Sequence, residues 1–380
     1  MIENVYLLFF VPLTLGLFQG MLFAVLLVVR GAREERLSDY LLAMLLFCGC
    51  LVLLPILLGL LDIHVLWNEW LFLPLNPGLL IGPLLYLFVI AHTNRGFRLT
   101  KQSLWHFFPF VVYAVYHIAI FVQGRDFVFH WMDAVDLPII NPIYQLLTLL
   151  SLCVYLWVTI QQYRQYQRWI EAEYANPEAH LYPWIKRFLW VVLLTVFITC
   201  LLRIIESVLF DFDYIQSWFT ATMVAITTYY ISIAGYMSAR PPLTANLGDA
   251  KNEGKMADQE IASELKRLTT WMESNQAYLD PNLSLGTVAK AMDQSREMVS
   301  MVINAGDGKN FRGFVNTYRV EAFKQAVRAG QAKELTLFGL ALECGFNSKA
   351  TFNRVFKQIE GVTPNMFANG VVLSPPSMST

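Results

Sequence analysis

Seven stretches of this 380-residue chain are close to twenty residues long and mostly apolar, and they leave few folds open. A helix needs about 20 such residues to cross the hydrocarbon core of a bilayer. The stretches are Val5–Val29, Asp39–Leu61, Trp70–Ala91, Leu104–Val122, Asn141–Ile160, Phe188–Phe210 and Gln216–Met237. Backbone polar groups find no partners in lipid, so runs of this kind predict transmembrane helices. Pro74, Pro77 and Pro83 interrupt the third run, which is expected to kink or unwind at its outer end.

Charge divides the chain in two. Residues through Arg240 carry 13 Lys+Arg and 15 Asp+Glu, whereas the 140 residues after it carry 15 and 14. Overall only 15% of residues are charged. Soluble chains hold roughly 25%, so an ordinary soluble protein is excluded, as are disorder and collagen-like repeats. The basic residues of the apolar part cluster in alternate loops: Arg30, Arg33 and Arg36; Arg95, Arg98 and Lys101; Arg164, Arg168, Lys186 and Arg187. The remaining loops hold only Arg125. Basic loops stay on the cytoplasmic side, which places the N-terminus outside and the C-terminal third in the cytoplasm. Trp67, Trp70, Trp105, Trp184 and Trp218 fall near span ends, where an aromatic belt would put them. The first run follows no basic segment and reads as a retained helix, not a cleaved leader. Cys48, Cys50, Cys153, Cys200 and Cys344 form no C-x-x-C pair and read as small buried hydrophobes.

Polar side chains inside the spans are costly and often functional. Arg203 and Glu206 lie three apart on the sixth run and can pair. Gln19, Asn76, His117 and Gln145 lie on four others, with Thr220 and Thr222 on the seventh. Two readings stand side by side. These groups hold helices together, or Asn76, His117, Gln145, Arg203 and Glu206 line a pocket open to the outside, beside Tyr116 and Trp218. The second would receive a small-molecule or protein signal. No H-E-x-x-H or G-x-S-x-G motif occurs, and no lysine lies in the seventh run. No catalytic residue, metal site or cofactor is therefore indicated.

Ser238–Asp258 mixes Pro, Gly, Asn, Asp and Lys without apolar period and reads as a linker. Helical periodicity then returns through Ile261, Leu265, Leu268 and Met272. Two similar units follow, Leu285–Asn304 and Leu335–Lys357. In the first, Ser295 precedes Val299, Val302 and Ile303; in the second, Ser348 precedes Phe352, Val355 and Phe356. Each has an alanine in the preceding helix, Ala289 or Ala341, where two helices must approach closely. Gly345 supplies the second turn. Phe314, Tyr318, Ala322 and Ala326 form an apolar stripe on a helix between the units. The pattern predicts a repeated helix-turn-helix, against the plainer alternative of two helix pairs packed as an all-α domain.

Residues Ile261–Phe367 strongly resemble the AraC/XylS family of bacterial transcription regulators. The most specific match is Gly345–Phe367, with Gly345-Phe346, Ser348, Phe352, Arg354, Phe356-Lys357, Gly361 and Thr363-Pro364. Asn310-Phe311 and Asn316-x-Tyr318-Arg319 match the family's central helix. The resemblance implies two helix-turn-helix units entering successive major grooves of double-stranded DNA. It also implies a membrane-anchored branch in which the spans replace a soluble sensor.

With the apolar positions buried, Lys349, Ala350, Asn353, Arg354 and Lys357 face outward in the second unit. Arg suits guanine, Asn adenine and alanine a thymine methyl, and the lysines suit phosphates. The first unit presents Arg296, Glu297, Ser300, Met301 and Asn304. Glu297 repels phosphate but can accept from cytosine, so this unit is expected to contribute less affinity. From Pro281 onward the chain holds 11 Lys+Arg and 7 Asp+Glu, a modestly basic balance.

The expected architecture is thus all-α: a seven-helix membrane bundle (1–240), a linker (241–258), a cytoplasmic double helix-turn-helix domain (259–368) and a disordered tail (369–380). The expected partners are DNA, membrane lipid and an unidentified signal. A second copy of the chain is a further partner, although two reading units per chain lessen the need for one. The rival reading is a transporter- or channel-like protein with a regulatory C-terminal domain.

Overall fold

The computed structural model describes residues 2–63, 70, 72–94, 96–208, 215–238 and 258–373. Among these the protein is helical, apart from loops and one isolated antiparallel bridge, Tyr174–Ser284. It divides into two compact units. One comprises Met1–Arg164 with Tyr182–Ala245, the other Gln165–Leu181 with Asn246–Thr380.

The first unit contains α1 (Ile2–Glu34), α2 (Leu37–Leu60), α3 (Gly78–Thr93), α4 (Phe108–Phe121) and α5 (Arg125–Trp131). It continues with α6 (Asn141–Glu173, whose last turns belong to the second unit), α7 (Pro183–Val208) and α8 (Ile215–Tyr236). Among the described residues, five helical stretches are long and apolar enough to cross a membrane: Leu8–Glu34, Leu37–Leu60, Lys101–Phe121, Arg125–Glu173 and Pro183–Leu202. The third expected span is shorter than the sequence suggested. Only Gly78–Thr93 is helical, 16 residues, and Pro77 stands just before its first turn. Proline lacks the N–H that a helix interior needs, and the unwound stretch holds Pro74 and Pro77, whereas Pro83 is accommodated inside the helix, contrary to expectation. The last expected span is a 22-residue helix whose Thr, Ser and Tyr content dilutes its apolar character. A π-helical stretch, Met132–Ile140, fuses α5 to α6, so the fifth run lies in a far longer helix than expected.

Small residues let α1, α2 and α8 approach closely, the usual device where no hydrophobic force separates helix from lipid. A Cβ on Gly16 would lie 2.8 Å from Ala225 Cβ. One on Gly20 would lie 2.8 Å from both Cys50 Sγ and Thr228 Cγ2. Leu13, Leu53, Leu57, Ala221 and Ala225 fill the seam. Gln19 Nε2 donates to Ser232 Oγ at 3.1 Å, which puts Gln19 among the groups that join helices. At one end Arg30 pairs with buried Asp39 at 2.6 Å and donates to the Gly235 and Tyr236 carbonyls. It thereby satisfies carbonyls left over at the end of α8. Of the cysteines, Cys48, Cys50 and Cys344 are buried, but Cys153 is exposed, contrary to expectation. It lies on an α6 face that also exposes Leu146, Leu150 and Trp157.

The second unit adds α9 (Asp258–Ser274), α10 (Leu285–Met292), α11 (Arg296–Asp307), α12 (Phe311–Arg328), α13 (Leu337–Glu343), α14 (Lys349–Glu360) and α15 (Pro364–Leu373). Two cores share α12. Phe311, Phe314 and Val315 pack with Leu268, Met272, Val288 and Ile303. Val320, Phe323 and Val327 pack with Leu340, Phe346, Phe352 and Phe356. The buried face of α12 is thus broader than the expected stripe. The expected linker lies outside the described residues except for Ser238 and Asp258 at its ends. Residues 369–373 are helical, not a disordered tail, because α15 runs to Leu373.

Gly20→Val should overpack the α1–α2–α8 seam and cost about 1–3 kcal/mol. Thermal unfolding of the purified intact chain should show a lowered midpoint.

Candidate nucleic-acid interface

Each reading unit is built by capped helices meeting at a tight turn. Ser295 Oγ accepts from the Met298 N–H at 3.1 Å and Ser348 Oγ from the Thr351 N–H at 3.4 Å. Such caps fix where α11 and α14 begin. The first turn uses Asp293 at φ +55°, the second Gly345 at φ +87°. Gly345 is also crowded: a Cβ there would lie 2.5 Å from the Tyr278 carbonyl oxygen and 2.9 Å from Arg319 Nε.

Arg319 is the deepest charge in the unit, with no exposed surface. Its Nε donates to the Tyr278 carbonyl at 2.7 Å and its Nη2 to the Asp280 carbonyl at 2.7 Å. Burial lowers its pKa to about 10, with the Asp280 carboxylate opposing and Arg312 reinforcing. It therefore stays charged at neutral pH. From α12 it ties the segment leading into the first unit to the ring of Phe346 in the second, 5.9 Å away.

Val299, Val302 and Ile303 of α11 and Phe352, Val355 and Phe356 of α14 are buried. Lys349, Ala350, Asn353, Arg354 and Lys357 are all exposed on α14. On α11, Glu297 and Asn304 are exposed, whereas Arg296, Ser300 and Met301 are half-buried. Arg296 turns toward the start of α10, where its Nη2 lies 3.7 Å from Glu173. Arg354 Nη2 lies 3.5 Å from Glu178, which Arg312 also meets at 2.6 Å. Burial pushes the Glu173 carboxyl up, while Arg296 and the Gly286 N–H pull it back and Glu297 adds to the rise. Glu173, Glu178 and Arg312 went unnoticed in the sequence. The available clue was three glutamates, Glu171, Glu173 and Glu178, in a loop otherwise counted for its basic residues.

In the first unit, two of the five expected pocket residues join one aromatic cluster, His117 by its ring and Asn76 by its backbone carbonyl. His117 lies among Phe72 (4.9 Å between ring centres), Tyr113 (4.1 Å) and Tyr116 (5.2 Å). Tyr113 stacks on Tyr144 at 4.3 Å, and the Tyr144 hydroxyl donates to the Asn76 carbonyl at 3.2 Å. Trp131 donates to the Tyr116 hydroxyl at 3.0 Å, which donates to Asp136 at 3.0 Å. Gln145 is exposed and donates to Asn141 on its own helix at 3.2 Å. The side chains of Arg203 and Glu206 lie outside the described residues.

Residues 288–370 match the model of a family described as a helix-turn-helix domain. Over 112 residues the chain is 27% identical to the probable transcription factor PqrA of Proteus vulgaris, across 30% of this chain and 85% of that protein. No solved structure matches the chain.

Gly345→Ala and Gly361→Ala separate backbone strain from crowding. Gly361 has φ +77° with nothing within 4 Å of a Cβ, so alanine there should cost about 1 kcal/mol. Gly345→Ala should cost clearly more, because strain of about 1–3 kcal/mol is joined by the carbonyl clash. Chemical denaturation of the two variants checks the order.

Proposed function

We infer that this chain, whose C-terminal part is an AraC-type helix-turn-helix domain, regulates transcription while anchored in a membrane. The anchoring rests on one observation above all, the apolar surface left outside the helices of the first unit. Leu8, Val11, Leu15, Phe18, Leu22 and Val25 of α1 are exposed, and every one of the fourteen residues of α4 lies outside the core. Water does not tolerate contiguous apolar faces of that length, whereas lipid does. The basic loops then set the N-terminus outside and the DNA-binding domain in the cytoplasm.

DNA is read by α11 and α14. Lys349 and Lys357 bind phosphates, while Asn353 and Arg354 reach base edges with Ala350 beside a thymine methyl. Arg296, Glu297 and Ser300 give a weaker reading from α11. The aromatic cluster around His117, with Asn76 at its edge, supports sensing of an external or lipid-borne signal in the first unit. The linker and the helix ends pass the change on, and a second copy of the chain serves where two operators must be held together.

Arg354→Ala should cost about 1–3 kcal/mol in operator affinity and relax specificity at one base pair. Lys357→Ala should weaken all sequences alike and lower the salt slope by about 1. Footprinting over a salt series measures both, and undiminished protection by Arg354→Ala overturns its role.

A further inference from the structure

The last turns of α6 and the loop that follows form a hairpin, Gln165–Leu181, that belongs to the compact unit of the DNA-binding domain. The hairpin is internally ordered. The Tyr166 hydroxyl donates to the His180 carbonyl at 2.8 Å, and the Tyr174 and His180 rings lie 3.9 Å apart. The Ala175 N–H donates to the Leu283 carbonyl at 3.2 Å, and Ala175 is fully buried in the first core. Asn176, 1% exposed, joins the segment leading into the first reading unit to the turn of the second with one amide. Its Nδ2 donates to the Pro281 carbonyl at 2.8 Å and to the Gly345 carbonyl at 2.9 Å.

Two carboxylates flank this anchor, and their surroundings are those of a bound phosphate. Glu173 Oε1 accepts from the Gly286 N–H at 3.0 Å, in the first turn of α10, with Arg296 beside it. Gly286 leaves the room, since a Cβ there would lie 2.9 Å from that oxygen and 2.8 Å from Arg296 Nη2. Glu178 Oε1 meets Arg312 and Arg354 and accepts from Thr351 Oγ1 at 3.1 Å. Helix N-termini, guanidinium groups and hydroxyls at a helix start are the groups with which proteins hold the DNA backbone.

We propose that the hairpin is an internal latch, with Glu173 and Glu178 occupying DNA-binding groups of the reading face until a signal withdraws them. The proposal rests on the DNA-binding reading above and names the regulation of that same face. Its parts differ in strength in the way a latch requires. Asn176 and Ala175 are buried and fix its position, while Arg354 remains 61% exposed and its ion pair yields readily to a base edge. Both ends of the hairpin continue covalently into apolar helices, α6 and α7. Rearrangement of those helices therefore acts directly on the carboxylates, without relying on the linker. A latch closed nine-tenths of the time weakens apparent DNA affinity about tenfold.

The test uses the full-length protein in lipid nanodiscs and a fluorescent random-sequence DNA duplex, with affinity read by anisotropy at fixed salt. Asn176→Ala removes the anchor without changing charge, and Glu178→Gln removes a carboxylate. Glu260→Gln, at an exposed position of α9, controls for net charge. Asn176→Ala and Glu178→Gln should each bind up to about tenfold tighter than the natural protein, and Glu260→Gln no tighter. Unchanged affinity in the first two overturns the latch and leaves DNA binding standing. Weaker binding by Asn176→Ala makes the hairpin a brace, not a latch. A gain in Glu178→Gln matched by Glu260→Gln reduces the effect to charge and also overturns it. If no form binds duplex DNA, the DNA-binding reading itself fails.

Discussion

A helix that is apolar around its whole circumference has two resting places, a protein interior or lipid. This chain offers too little interior for its apolar helices. The inner seam of α1, α2 and α8 takes Leu13, Leu53 and Leu57, while Leu15, Leu22 and Val25 of the same first helix stay outside. That surplus shapes the rest of the molecule. It goes with glycines at the helix contacts, where Gly16 and Gly20 bring α1 against α8 and α2. It also concentrates charge in loops and in the last third of the chain.

The DNA-binding unit obeys the opposite economy. Its two cores are small, and each depends on aromatic residues from α12. Between them lies Arg319, whose donors satisfy carbonyls of the segment leading into the first reading unit. A buried charge of this kind is expensive to strand, so the relation between the two reading units is tied to its partners. Gly345 completes the arrangement, because its missing side chain lets the second turn press against the Tyr278 and Leu279 carbonyls, the first of which also accepts from Arg319. Asn176 reaches the same place from outside the domain's own stretch of sequence.

Local chemistry was legible in the sequence and distant contact was not. Ser295 and Ser348 announced the starts of α11 and α14, because an N-cap depends on residues within one turn. The buried triplets that follow them obey a helical period. The unwound stretch before α3 was legible for the same reason, since proline acts on its own turn. The hairpin was invisible, because Asn176 and Gly345 are far apart in the chain and nothing local marks their bond. Arg296 shows the same limit. Its place at the start of α11 suggested an outward side chain, but Glu173 holds it over α10.

The central claim is that one polypeptide carries lipid-facing helices and a DNA reader held on the cytoplasmic side. Single cysteines placed in α9 and α15 of a cysteine-free version, and treated with a membrane-impermeant thiol reagent, test it most directly. The account predicts no labelling in intact cells and full labelling once the membrane is breached. Labelling of either position in intact cells would contradict it.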